Sequence, residues 1–313
     1  MTRRIVTLTL NPAVDLATVA PRIVPTHKIR TRGEEVDPGG GGINVARVIH
    51  ALGGDALAVL TEGGATGRFL TELLEEAGVP FRAVPIRGRT RVSFAVREAA
   101  TGQEYRFVPE GPTLTEADWR AAVETALAEP GEFLVLSGSL PPGVPATAYA
   151  EIARRAAAAG RRVALDSSGP ALAAALAPGG APGLDLIKPS LGELEALIGR
   201  VPADPAAEAA ALVRVGAARM VAVTLGAEGA LLASRDGVLR RPALPGRVRS
   251  AVGAGDAFLG GLVFALAGGA APALALDWAL AAGAAAVGGV GTARLTRADV
   301  LARLPAGSEL SEC

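Results

Sequence analysis

Cysteine is almost missing from this chain: of 313 residues only the last, Cys313, carries a thiol. No internal disulfide can form, which excludes a disulfide-stapled secreted scaffold and fits a reducing, cytoplasmic setting. Aromatic residues make up 4% of the chain against 50% hydrophobic residues, so the core is built from Ala, Val, Leu and Ile. An excess of either charge is missing too, with 31 basic and 31 acidic residues. A nucleic-acid partner is not expected, because the basic surplus or stripe that holds phosphate backbone is absent. The opening MTRRIVTLTL lacks a long apolar stretch followed by a small-residue cleavage site, so no signal peptide is expected. One stretch, Ala257 to Leu276, has no charge over a membrane-spanning length, but Gly268, Gly269 and Pro272 interrupt it and Asp277 follows. It reads as two Ala-rich core helices with a turn between them, and no membrane partner is expected.

Other scarcities work as a filter. Lysine occurs only at 28 and 188, asparagine only at 11 and 44, and glutamine only at 103; the other basic residues are arginines. A coding bias that exchanges Lys for Arg and Asn for smaller residues explains this, and residues that survive it are less often incidental. The two histidines, His27 and His50, have no spacing that suggests a metal site or a base and read as structural.

The pattern along the chain predicts strands at 4–10, 56–60 and 81–86, a glycine run within 38–54 that opens a helix carrying Ile43, Ala46, Val48, Ile49 and Leu52, and a helix over 67–77. Val92–Arg97 and Glu104–Val108, joined by ATGQ, predict a hairpin. From about 115 a regular alternation sets in: helices at 115–128 and 146–159, strands at 133–139, 162–166 and 184–188. Helices near 191–198 and 205–216 precede strands at 220–225, 231–234 and 238–241. Such alternation means an α/β fold with a mostly parallel sheet covered on both faces. We expect one domain over 1–313. The charge-rich 15–35 and 90–108 do not fit the alternation and read as a small β-sheet lid.

Two glycine-rich runs carry the chemistry. In AVGAGDAFLGGL (251–262), Gly253 and Gly255 permit a tight turn as a helix begins. The free N–H groups of Gly253, Ala254 and Gly255, with the helix dipole, would seat anionic oxygens. Asp256 there could take a proton from an attacking hydroxyl, or could simply be an acidic residue placed for the dipole; the string alone divides these evenly. GGGGIN (39–44) opens another helix, as a flexible turn or as a close approach to a ligand, and the surviving Asn44 favours the ligand. Neither GxxxxGK[ST] nor the GxGxxG of dinucleotide-binding oxidoreductases occurs.

Together with TLTLNPAVD, TGQEYRF, SGSLPPG and GVGTAR, these runs make the chain resemble the ribokinase-like (PfkB) family of carbohydrate kinases over nearly its whole length. Within the family, PGGGGINVAR followed by SGSLPPG is most similar to the branch that phosphorylates fructose 6-phosphate. Relatives acting on fructose 1-phosphate or tagatose 6-phosphate usually have a lysine inside the glycine run. The resemblance implies a Rossmann-like sheet with a β lid that also forms a dimer contact, MgATP as donor, and Asp256 as base. Asp15, Gly40, Gly41 and Asn44 match sugar-hydroxyl contacts; Lys28, Arg91, Arg106 and Ser139 match groups that hold the substrate's phosphate. Lys188, Ser190, Glu193, Thr224, Gly226 and Gly229 match the nucleotide side, with Glu193 positioning Mg²⁺ through water. Ser190 stands where the family usually has asparagine. AVGAG with GVGTAR is similar to loops that bind a monovalent cation, usually K⁺. A non-catalytic sugar-phosphate sensor on the same fold is the alternative from another class.

Overall fold

The structure, a computed structural model, describes residues 4–177, 179–181, 183–246, 250, 252–288, 294–308 and 310. The first half runs β1 (Ile5–Thr9), β2 (Ala13–Ala20), β3 (Arg32–Gly39), α1 (Gly41–Ala51), β4 (Ala56–Glu62), α2 (Gly64–Glu76), β5 (Phe81–Pro85), β6 (Arg91–Glu98), β7 (Glu104–Phe107) and α3 (Glu116–Ala128). It continues with β8 (Phe133–Ser137), α4 (Ala148–Ala158), β9 (Arg162–Asp166), α5 (Gly169–Leu176), β10 (Leu184–Ile187), α6 (Leu191–Ile198) and α7 (Pro205–Arg214). Last come β11 (Met220–Thr224), β12 (Ala230–Ser234), β13 (Gly237–Arg241), α8 (Ala254–Ala267), α9 (Pro272–Gly288) and α10 (Arg297–Leu301).

Nine strands form one sheet in the order β13-β12-β11-β10-β9-β8-β1-β4-β5, all running the same way except β12, which is antiparallel to both its neighbours. Its central strands are continuous apolar runs, such as the fully buried FLVLS of β8, because helices cover both faces. One core cluster unites α1, α2, α8 and α9 with one face, and a second unites α3 to α7 with the other. The predicted α/β architecture is thus present. The long uncharged stretch divides between α8 and α9 as expected, and among the described residues no helix is long and apolar enough to cross a membrane.

The GG pair inside α8 sets how tightly this layer closes. A Cβ at Gly260 would lie 2.7 Å from Val48 of α1, and one at Gly261 would lie 2.7 Å from the Trp278 carbonyl of α9. Only glycine lets α8 approach both neighbours this closely, which offsets its low helix propensity.

The smaller sheet has the order β3-β2-β6-β7. Its β6–β7 pair is the expected hairpin, but β2 and β3 are regular strands joined through the exposed 21–31 connection. The glycine run opens a helix as expected: Gly39 still belongs to β3, and Gly40, at φ 112°, caps α1. A chain of four glycines carries no side-chain period, so periodicity could not locate that boundary.

Candidate active site

The parallel strands present polar residues where they end. β8 ends on Ser137, β9 on Asp166 and β11 on Thr224, while Lys188 follows β10 directly. That edge is where parallel α/β sheets hold ligands. A cavity of about 420 Å³ opens over it, lined among others by Ser139, Asp166, Lys188, Ser190, Glu193 and Thr224. A second, of about 460 Å³, lies along the small sheet and is lined among others by Asp15, Gly40, Asn44, Arg91 and Arg106. Gly41, Arg106, Gly253 and Asp256 border both.

Asp256 therefore stands at the junction, in the first turn of α8, behind Gly253 at φ 75°. Its Oδ2 accepts a 2.9 Å hydrogen bond from Asn44 Nδ2. Arg47, which can only donate, faces Asn44 Oδ1 at 3.4 Å and so orients the amide with its NH₂ toward the carboxylate. Arg47 is itself held by Asp37 at 3.0 Å, and Asp37 also receives Arg294 Nε at 2.7 Å. Burial and then the nearby Asp166 charge push Asp256 up to about 7, against the opposing pull of Asn44 and Lys188. A carboxylate poised there suits a general base at neutral pH.

Lys188 is only 5% exposed and pairs with Asp166 at 3.1 Å. Burial alone would lower the ammonium, but Asp166, Glu193 and Asp256 together hold it above its usual value. It remains a cation on the strand-end side. Ser190 caps α6: its Oγ accepts from the Glu193 N–H, and its own N–H donates to Glu193 Oε2 at 2.7 Å. Serine thus retains the capping function that asparagine would supply, and it fixes the Glu193 carboxylate at the cavity.

The glycine run packs closely against the chain's own neighbouring residues. A side chain at Gly39 would run into the Asp15 carboxylate, and a Cβ at Gly40 would meet Thr9 at 2.8 Å. In the cleft along the small sheet, Arg91 donates from Nη1 to the Pro109 carbonyl and from Nη2 to that of Asn11.

Four expected positions line neither cavity. Lys28 lies on the exposed connection between β2 and β3, and the single chain does not bring it to the site. Ala254 contributes only backbone, as the first residue of α8. Gly226 and Gly229 shape the 3-10 turn after β11, where a side chain at Gly229 would run into the Arg241 carbonyl. Of the expected cation loops, Ala251 and 289–293 lie outside the described residues. His27 and His50 are exposed and line neither cavity.

Sequence reasoning passed over Asp166, Ser137, Asn11 and Arg47. Asp166 and Ser137 had a usable signal, since each is a polar residue closing an apolar strand. Asn11 had another, being one of two asparagines.

The pattern of the pfkB family carbohydrate kinases matches residues 8–298. The chain belongs to that family. It is 42% identical to an ATP-dependent 6-phosphofructokinase isozyme 2 of Mycobacterium tuberculosis over 95% of its own length and 88% of the relative's. A 1-phosphofructokinase of Xanthomonas campestris is 36% identical over 85% of each chain. Crystal structures of phosphofructokinase-2 from Escherichia coli with fructose-6-phosphate, with potassium and in a tetrameric inhibited form superpose with TM-scores of 0.88, 0.90 and 0.88. They are 40%, 39% and 39% identical and cover 96% of this chain and 98% of theirs. As a pfkB family kinase the chain has the machinery of an ATP-dependent sugar-phosphate kinase.

Proposed function

We propose that the chain transfers the γ-phosphoryl group of ATP to the 1-hydroxyl of fructose 6-phosphate, giving fructose 1,6-bisphosphate and ADP. One observation carries this: Asp256 borders both the strand-end cavity, with Lys188, Glu193 and Thr224, and the cleft along the small sheet, with Asp15, Asn44 and Arg91. In this reading Asp256 takes the hydroxyl proton as the oxygen attacks, and the N–H groups at the start of α8 hold the transferring group's oxygens. Lys188 and Thr224 face the donor phosphates. Asp15, Gly40, Gly41 and Asn44 hold the sugar, while Arg91, Arg106 and Ser139 hold its 6-phosphate, a dianion that needs convergent donors.

Mg²⁺ fits the strand-end cavity, whose walls carry the hard oxygens of Asp166, Glu193 and Asp256. Among the described residues no group of three or more ligands is placed to hold a metal alone, which suits an ion that binds one or two carboxylates plus phosphate oxygens. When bound it would neutralise phosphate charge. A K⁺ site near the start of α8 is proposed by analogy with the potassium complex of the Escherichia coli enzyme. The single cysteine suits a cytoplasmic place of action.

The small sheet serves as the lid. It carries the exposed Phe94, Phe107 and Val108, apolar surface that a second copy would cover. A dimer through this sheet also reconciles Lys28 with a phosphate role, since the residue would then serve the partner's site. The tetrameric form of the Escherichia coli enzyme makes the dimer the unit to test first.

The decisive assay is ADP release with Mg²⁺ over a panel of hexose phosphates. Fructose 6-phosphate should have the highest kcat/KM; a clear preference for fructose 1-phosphate or tagatose 6-phosphate would overturn the choice of substrate. Sugar-phosphate binding without turnover would point to a sensor.

A further inference from the structure

Asn11 is 3% exposed in the short link between β1 and β2, and no step of the reaction above uses it. It nevertheless joins three segments. Its Nδ2 donates to the Glu110 carbonyl at 2.8 Å and to Ser139 Oγ at 3.1 Å, while its main-chain oxygen accepts Arg91 Nη2 at 2.9 Å. Ser139 follows a central strand of the large sheet, Arg91 begins β6 of the small one, and Glu110 lies just beyond β7.

The polarity of these bonds can be fixed. A carbonyl oxygen only accepts, so Glu110 forces the NH₂ of Asn11 to face it. The same NH₂ then donates to Ser139, whose hydroxyl oxygen is the acceptor. The hydroxyl hydrogen of Ser139 is thereby left to donate elsewhere, at the edge of the 420 Å³ cavity where Arg106 joins it to the cleft that holds Arg91. This arrangement has a cost, since Asn11 Oδ1 is buried with no hydrogen-bond partner among the described residues. A side chain at Gly111 would run into that oxygen, so the backbone there closes directly over the amide. A buried acceptor left unpaired is expected where an orientation serves something besides stability.

We infer that Asn11 is a positioning residue for the substrate's phosphate: its side chain turns the Ser139 hydroxyl into a donor, at the corner where its main-chain oxygen holds Arg91. The role rests on the sugar-phosphate reading above. Asp at this position would keep the shape but capture the Ser139 hydrogen and add a negative charge beside the phosphate. Ala would release the hydroxyl to rotate freely.

The test compares Asn11→Asp and Asn11→Ala, each alone and combined with Ser139→Ala, in steady-state kinetics and thermal melting. KM for fructose 6-phosphate should rise about 30-fold in Asn11→Ala and further in Asn11→Asp, the size of a lost hydrogen bond to a charged group. KM for ATP and kcat should stay within about threefold of wild type. In the Ser139→Ala background, Asn11→Ala should add less than about twofold, because the two residues act as one unit. Effects that multiply, or a rise in both KM values together, would overturn the assignment. So would a fallen melting temperature with a normal sugar-phosphate KM in the cold, since that describes a purely structural residue. Wild type is assayed in parallel on fructose 6-phosphate and on fructose. Equal kcat/KM on the two would sink the substrate reading and the Asn11 role with it; a phosphate preference that the Asn11 variants retain would sink the Asn11 role alone.

Discussion

The two cavities that meet at Asp256 are built by different means. The strand-end cavity is made of buried and paired charge: Lys188 is 5% exposed against Asp166, and Glu193 is locked into the cap of α6. Each group is anchored on or beside β9, β10 or α6, elements whose apolar faces lie in the second core cluster. The cleft along the small sheet draws its groups from β2, β6 and β7, and Arg106 there is exposed. Its fixed cation, Arg91, donates to the carbonyls of Asn11 and Pro109. Damage to the first region should therefore reach the core and the chemical step, whereas damage to the second should mainly weaken binding of the acceptor.

Asp256→Asn tests the junction and has the largest expected effect. Turnover should fall about 10³-fold, within the span of general-base loss, while calorimetric affinity for fructose 6-phosphate changes only a few-fold. Equal losses in turnover and affinity would move Asp256 from base to binding residue. Lys188→Met comes next. It leaves Asp166 buried beside Glu193 without its cation, which costs about 3–5 kcal/mol, read as a lowered urea midpoint. Adding Asp166→Asn should recover part of that loss. On the other side, Arg106→Ala should raise KM for fructose 6-phosphate about 10- to 100-fold with the urea midpoint unmoved. A large stability loss in Arg106→Ala would erase the contrast between the regions. Lys28 sharpens it further. Mixing equal amounts of the Asp256→Asn and Lys28→Ala proteins should restore about a quarter of wild-type activity if Lys28 acts across a two-fold interface. No gain on mixing would confine each site to one chain.

The same difference decided what could be read from the chain. Parallel central strands announce themselves as apolar runs, so β8 to β11 and the residues closing them were within reach. Asp256 and Asn44 also stood out, one by its glycine turn and the other by scarcity, and their 2.9 Å contact spans α1 and α8. Partners brought together only by topology were not legible: nothing local ties Asn11 to Ser139, or Arg47 to Asp37 and Arg294. Ser190, where the family usually has asparagine, keeps with its hydroxyl and N–H the cap that holds Glu193, a contact that the local capping pattern made legible.

The smallest effect concerns stability and pH at the junction itself. Burial raises Asp256 from 3.8 to about 7 in the folded chain, so the native state holds a proton between these values that the unfolded chain releases. Stability from this group is full below about pH 4 and declines as pH rises to about 7, the reverse of a salt-bridged carboxylate. Above pH 7 the ionised base is a strain on the fold, and it is also the form that accepts the hydroxyl proton. Asp256→Asn should therefore melt about 2–6 °C higher than wild type at pH 8, with the gap closing toward pH 4. In wild type, kcat/KM should fall about tenfold per unit below pH 7. A gap in melting temperature that does not change with pH would mean that Asp256 is already ionised at pH 4, and that the junction between the two cavities is wetter than its packing implies.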